Sequence, residues 1–109
     1  MKHLVTGSSG FLGSQIVKKL VSDGHEVVSL DIIEDPELAK ISQFYRIDIA
    51  EKSHNYKKIF NKVDYVHHNA ALVPLTKAGK NFFNSNVEGT RNILNQSIKY
   101  NVEHFSHMS

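Results

Sequence analysis

The chain has 109 residues, 40% of them hydrophobic and 22% charged, the balance of one soluble globular domain or part of one. Its 13 basic and 11 acidic residues are scattered without a basic tract, which argues against a nucleic-acid partner. The absence of cysteine excludes disulfides, thiolate nucleophiles and cysteine-ligated zinc. No apolar run approaches the ~20 residues of a membrane span, and Met1-Lys2-His3 leads straight into a strand pattern, so a cytoplasmic location is the default expectation.

Lys2 to Thr6 reads as a first strand, buried on both faces if it is central in a parallel sheet. Thr6-Gly7-Ser8-Ser9-Gly10-Phe11-Leu12-Gly13 follows and opens a helix over Phe11 to Asp23, with Leu12, Ile16, Val17, Leu20 and Val21 at helical spacing. Gly7 suits the sharp turn out of the strand, Gly10 leaves the backbone open to a pyrophosphate, and Gly13 lets the helix lie close to the strand. The unpaired N–H groups of the first turn and the helix dipole then make an anion site without any lysine. Gly7, Ser9, Gly10, Phe11, Leu12 and Gly13 are therefore candidate cofactor-binding residues. Taken alone, such a loop can also serve packing only.

Gly24, directly after the periodic pattern, is the expected helix stop. Val27 to Asp31 is a second strand, completing a βαβ unit whose crossover is expected to be right-handed. Asp31 lies 18 residues after Gly13, near the roughly 20 at which a dinucleotide fold places the acid that binds the adenosine ribose. A carboxylate there accepts from both ribose hydroxyls and repels a 2′-phosphate. Neither Ile32, Ile33, Ser8 nor Ser9 supplies an arginine for that phosphate, so NAD is expected over NADP.

Glu34 to Gln43 reads as a loop with at most a short helical turn after Pro36. Phe44 to Ile49 is a third strand ending in Asp48, and Ser53-His54-Asn55 opens a short helix through Tyr56, Ile59 and Phe60. By local pattern Asp48 is equally a turn residue or a helix cap. Val63 to Ala71 contains the fourth strand. Its neighbouring His67 and His68 point to opposite faces if they lie on a strand, so a shared metal ion is not expected, and no cysteine or carboxylate cluster stands nearby. After a polar loop at Pro74 to Lys80, a long helix carries Phe83, Val87, Thr90, Leu94, Ser97 and Ile98. Gly89 in its middle costs about 1 kcal/mol against alanine, which implies close packing, here expected against the sheet. Val102 to Ser109 is a fifth strand.

Together these motifs resemble the extended short-chain dehydrogenase/reductase family, which includes nucleotide-sugar epimerases and dehydratases. The match runs through T-G-x-x-G-x-x-G, V-x-H-x-A-A at Val66 to Ala71, N-V-x-G-T-x-N-L-L at Asn86 to Leu94, and V-x-x-F-V-x-x-S-S at Val102 to Ser109. The resemblance implies an α/β fold, a Rossmann-like doubly wound parallel sheet of strand order 3-2-1-4-5. It also implies that Asp48 accepts from the adenine amino group, that Ile49 packs on the adenine, that Ala70 and Ala71 let the backbone pass beside the cofactor, and that Asn86 faces its nicotinamide half. Asn69 stands where the family more often has an aliphatic or aromatic residue.

The family's catalytic Y-x-x-x-K pair, a tyrosinate that moves a hydroxyl proton as hydride is transferred, is not found: four places beyond Tyr45, Tyr56, Tyr65 and Tyr100 stand Ile49, Phe60, Asn69 and His104. The expectation is thus an amino-terminal part of a longer NAD-dependent epimerase or dehydratase, with catalytic residues beyond Ser109, a homodimeric parent and no turnover from these residues alone. A hydroxysteroid or carbonyl reductase of the same superfamily, or a non-catalytic NAD sensor or scaffold, shares every motif up to Ser109.

Overall fold

The computed structural model describes residues 1–69 and 79–108. Five parallel strands, β1 (Lys2–Thr6), β2 (Glu26–Asp31), β3 (Gln43–Arg46), β4 (Tyr65–Asn69) and β5 (His104–Met108), form one sheet in the order β3-β2-β1-β4-β5. This is the doubly wound arrangement that the family resemblance implies. It places β1 between β2 and β4, with Val5 in register with both Ser29 and His67.

Helices cover both faces. On one side α1 (Phe11–Ser22) and α2 (Pro36–Ile41) bury Val17 and Leu38 against Val5 and Val27. On the other, α3 (Tyr56–Ile59) and α4 (Gly79–Lys99) bury Tyr56, Ile59, Phe60 and Ile93 against Leu4, Val28, Leu30 and Val66. Alternate residues of β1 and β2 thus serve two cores, Leu4, Val28 and Leu30 on one face and Val5 and Val27 on the other. Each fully buried aliphatic side chain contributes roughly 1.5 to 3 kcal/mol. The helix stop at Gly24 is a left-handed residue (φ 88) in a Schellman arrangement: Gly24 N–H donates to the Val21 carbonyl and His25 N–H to that of Leu20, both at 3.0 Å.

Several local expectations are corrected. The segment after Glu34 forms a six-residue helix, because Asp35 accepts from Glu37 N–H (2.9 Å) as its N-cap, Pro36 fits the first turn and Leu38 is fully buried. β3 stops at Arg46 and does not reach Ile49; beyond it, Asp48 Oδ1 accepts from Ala50 N–H (2.9 Å) and Glu51 N–H donates to the Asp48 carbonyl (3.0 Å), turning the chain out of the sheet. Leu12 does not join the core stripe of α1 but is exposed. Gly89 packs against the Ile49 side chain, not the sheet: a methyl group there would lie 2.8 Å from Ile49 Cγ1. No helix among the described residues is long and apolar enough to cross a membrane.

Candidate functional site

The carboxyl end of β1 turns into α1 through Gly7, whose φ of 62 is in the left-handed region. A Cβ at Gly7 would also stand 2.8 Å from the Asn69 carbonyl, and one at Gly13 would stand 2.1 Å from the Gly7 carbonyl. The molecule's own packing therefore accounts for both residues. Gly10 differs. It has ordinary extended angles (φ −74, ψ 171), and among the described residues a Cβ there would meet only the Gly7 carbonyl at 3.4 Å, an ordinary contact. Among the described residues nothing requires glycine at position 10, and the space beside it is open.

That space faces the start of α1. Gly10 is the N-cap and provides no side-chain cap, and the first turn carries no acidic residue. The helical ladder opens with Ser14 N–H donating to the Gly10 carbonyl (2.9 Å), leaving the N–H groups of Phe11, Leu12 and Gly13 ahead of it. Positive dipole, bare donors and a missing side chain together fit a phosphate or pyrophosphate. The Phe11 side chain is 86% exposed, and Leu12, Ile32 and Ile33 are also exposed at this end of the sheet. Four bare apolar residues around a polar loop give a rim on which a flat ring can pack.

Asp31, at the end of β2, is tied into the same loop. Its Oδ2 accepts from Ser9 N–H (2.9 Å) and its Oδ1 from Ile33 N–H (3.1 Å). Ser9 Oγ donates to the Ile33 carbonyl (2.5 Å), while buried Ser8 donates through both N–H and Oγ to the Leu30 carbonyl, each at 3.2 Å. The glycine loop is thus stitched to the end of β2, a role of the two serines that the glycine pattern does not reveal. The Asp31 carboxylate keeps unused lone pairs on both oxygens and can accept from a diol while repelling an added phosphate.

β4 supplies the opposite wall. Asn69 Nδ2 donates to the Thr6 carbonyl (2.9 Å) and Asn69 N–H to Thr6 Oγ1 (3.2 Å), fixing the residue just before Gly7. His68, 1% exposed, lies between Thr6 Oγ1 at its Nδ1 (2.6 Å) and Thr90 Oγ1 at its Nε2 (2.8 Å), joining β1, β4 and α4. Burial, with the His107 ring as a second contributor, lowers its pKa to about 4. On the opposite face, His67 Nε2 meets His3 Nδ1 at 2.9 Å, and burial followed by His3 lowers the His67 pKa to about 4. The two histidines belong to different faces, as strand alternation requires.

Asp48 is exposed and Ile49 half-buried, in the turn that follows the Arg46 end of β3. Gly7, Ser9, Gly10, Phe11, Leu12, Gly13 and Asp31 are brought together around one loop. The expectations for Ala70, Ala71 and Ser109 lie outside the described residues, as does that for the side chain of Asn86, a residue of α4.

The sequence model of the NAD dependent epimerase/dehydratase family matches residues 3–109. A putative UDP-glucose 4-epimerase of Methanocaldococcus jannaschii is 35% identical over 106 residues, covering 92% of this chain and 35% of that protein. The structure of UDP-glucose 4-epimerase from Thermotoga maritima with UDP-glucose superposes with a TM-score of 0.86 at 30% identity, over 98% of this chain and 37% of the other. The Thermus thermophilus UDP-glucose 4-epimerase complexed with NAD gives 0.83 at 32% identity, over 96% and 36%. The chain thus spans about a third of the length of these relatives. With the family's pattern matched over nearly every residue and its parallel sheet reproduced, the chain belongs to the NAD dependent epimerase/dehydratase family.

Proposed function

We propose that this chain is the NAD-binding part of an epimerase or dehydratase that acts on a nucleotide sugar. The observation that carries the cofactor reading is the open space at Gly10 in front of the bare amides of α1. The N–H groups of Phe11, Leu12 and Gly13 bind the pyrophosphate, and the exposed apolar rim packs around the adenosine half. Asp31 accepts from the ribose hydroxyls, and its charge favours NAD over NADP. Asp48 takes the adenine amino group, with Ile49 beside the ring. Ala70 and Ala71 allow close passage of the backbone, and Asn86 faces the nicotinamide half.

When bound, NAD supplies a hydride acceptor for a sugar carbon and can return the hydride. The chain's own contribution is to hold and orient it. The sugar substrate is supported by the relatives solved with UDP-glucose and NAD. The catalytic tyrosine and lysine belong to the part of such an enzyme that these 109 residues do not include, and the working assembly is a homodimer in the cytoplasm. Full-length protein holding NAD is expected to show transient nicotinamide reduction when the correct nucleotide sugar is added. NAD binding without reduction by any nucleotide sugar would instead favour a sensor or scaffold.

A further inference from the structure

The turn that carries Asp48 and Ile49 is gripped from behind by side chains to which no role has yet been given. Asn92 of α4 is 3% exposed, and its Nδ2 donates both hydrogens, to the Ile49 carbonyl (2.7 Å) and to Tyr56 Oη (3.1 Å). Tyr56 in turn donates to the Glu51 carbonyl (2.5 Å), and Asn92 Oδ1 accepts from Gln96 Nε2 (3.2 Å). Every polar atom of the Asn92 amide group is therefore engaged. Gly89, one turn earlier on α4, receives the Ile49 side chain where a methyl group would collide. Two carbonyls and one side chain of the turn are held, while the Asp48 carboxylate faces solvent with Oδ2 free among the described residues.

From this geometry we infer that Asn92 is a positioning residue for cofactor recognition: through Tyr56 and the Gly89 notch, it fixes the turn that aims Asp48 at the adenine edge. The inference rests on the cofactor reading above. Its physical basis is that a turn with free carbonyls samples many backbone states, whereas a carboxylate discriminates between donors only when its direction is fixed. The buried amide suits this task because it donates twice from one rigid plane, which neither serine nor alanine can do.

Two measurements on the full-length protein test the inference. The first is ligand-free amide exchange by NMR, comparing the wild type with Asn92→Ala. The Ala50 and Glu51 amides are expected to exchange roughly tenfold faster in the variant, with the Leu4 and Val5 amides of β1 unchanged. The second is the ratio of affinities for NAD and for its hypoxanthine analogue, which has a carbonyl in place of the adenine amino group. The wild type is expected to prefer NAD by roughly tenfold, the worth of one charge-assisted hydrogen bond, and Asn92→Ala to approach parity. General loosening would weaken both ligands equally and leave the ratio intact. If Asn92→Ala does not fold, Tyr56→Phe, which releases the Glu51 carbonyl, is read by the same two measurements. Unchanged exchange at Ala50 and Glu51, or an unchanged affinity ratio, overturns the inference. A wild type that binds neither dinucleotide overturns the cofactor reading and the adenine half of this inference with it, while the exchange result decides the grip separately.

Discussion

Replacing Gly10 and Gly13 in turn by alanine separates the glycine that serves a ligand from the one that serves the fold. At Gly13 the new methyl would lie 2.1 Å from the Gly7 carbonyl oxygen and 2.8 Å from its carbon, and both are backbone atoms that cannot swing away. The helix must move off the strand, at a cost expected to exceed the ~1 to 3 kcal/mol of ordinary overpacking. Such a loss is a large share of the roughly 5 to 15 kcal/mol that holds a domain together. At Gly10 the methyl meets one oxygen at 3.4 Å, and φ is already in a region open to alanine. There the lower entropy of the unfolded chain and the poorer N-cap nearly offset, so stability should stay within about 1 kcal/mol of wild type. Dinucleotide binding should nevertheless weaken by at least about tenfold, because the methyl occupies the approach to the α1 amides. Thermal or denaturant unfolding gives the first quantity and equilibrium titration with NAD the second. A Gly10→Ala chain that binds NAD like wild type would refute the reasoning, as would a Gly13→Ala chain of undiminished stability.

Asp31→Ala should narrow an NAD-over-NADP preference of at least about tenfold, and Asp31→Ser with Ile32→Arg should reverse it, as competition titrations would show. Acid should destabilise the chain: the folded pKa of His68 is depressed to about 4, so the unfolded state binds the extra proton between pH 6.5 and 4. Stability is then full above pH 6.5 and lower by about 2 kcal/mol at pH 5 from this residue alone. His68→Leu should flatten that part of the stability profile measured by urea unfolding, whatever its effect at pH 7, and an unaltered slope would contradict the assignment. Asn69→Ala should cost about 1 to 2 kcal/mol, since the Thr6 carbonyl loses its amide donor beside Gly7; unfolding midpoints indistinguishable from wild type would count against that clamp.

The alternation of strands and helices was legible because its signals are local, a glycine turn between strand and helix and a helix stop at Gly24, whereas the strand order came from the family resemblance. The six-residue α2 reads as a loop with at most a short turn, although Asp35-Pro36-Glu37 carries the cap and first-turn pattern that starts it. Leu12 misled because helical spacing identifies the apolar stripe but not how far toward the helix start the core extends; here the first turn overhangs the site. Around the glycine loop, Asp31 was readable by spacing, whereas Ser8 and Ser9 had no pattern to mark them. The holds on Thr6 by Asn69 and on Ile49 by Asn92 join residues 63 and 43 positions apart. No periodicity carries such pairs, and an asparagine beside a strand end reads locally as a turn former. Gly89 was recognisable as a packing glycine, but its neighbour Ile49 could be identified only once β3 ended early and the following turn folded back over α4.

The central claim is that the glycine loop and Asp31 form the adenosine and pyrophosphate half of an NAD site. The most direct measurement is an NMR titration of the full-length protein with NAD and, separately, with NADP, following backbone amides. Saturable shifts are predicted at Ser9, Phe11, Leu12, Asp31 and Ile33, with NAD bound at least about tenfold more tightly than NADP. Shifts confined to other regions, or equal affinity for the two dinucleotides, would contradict the account.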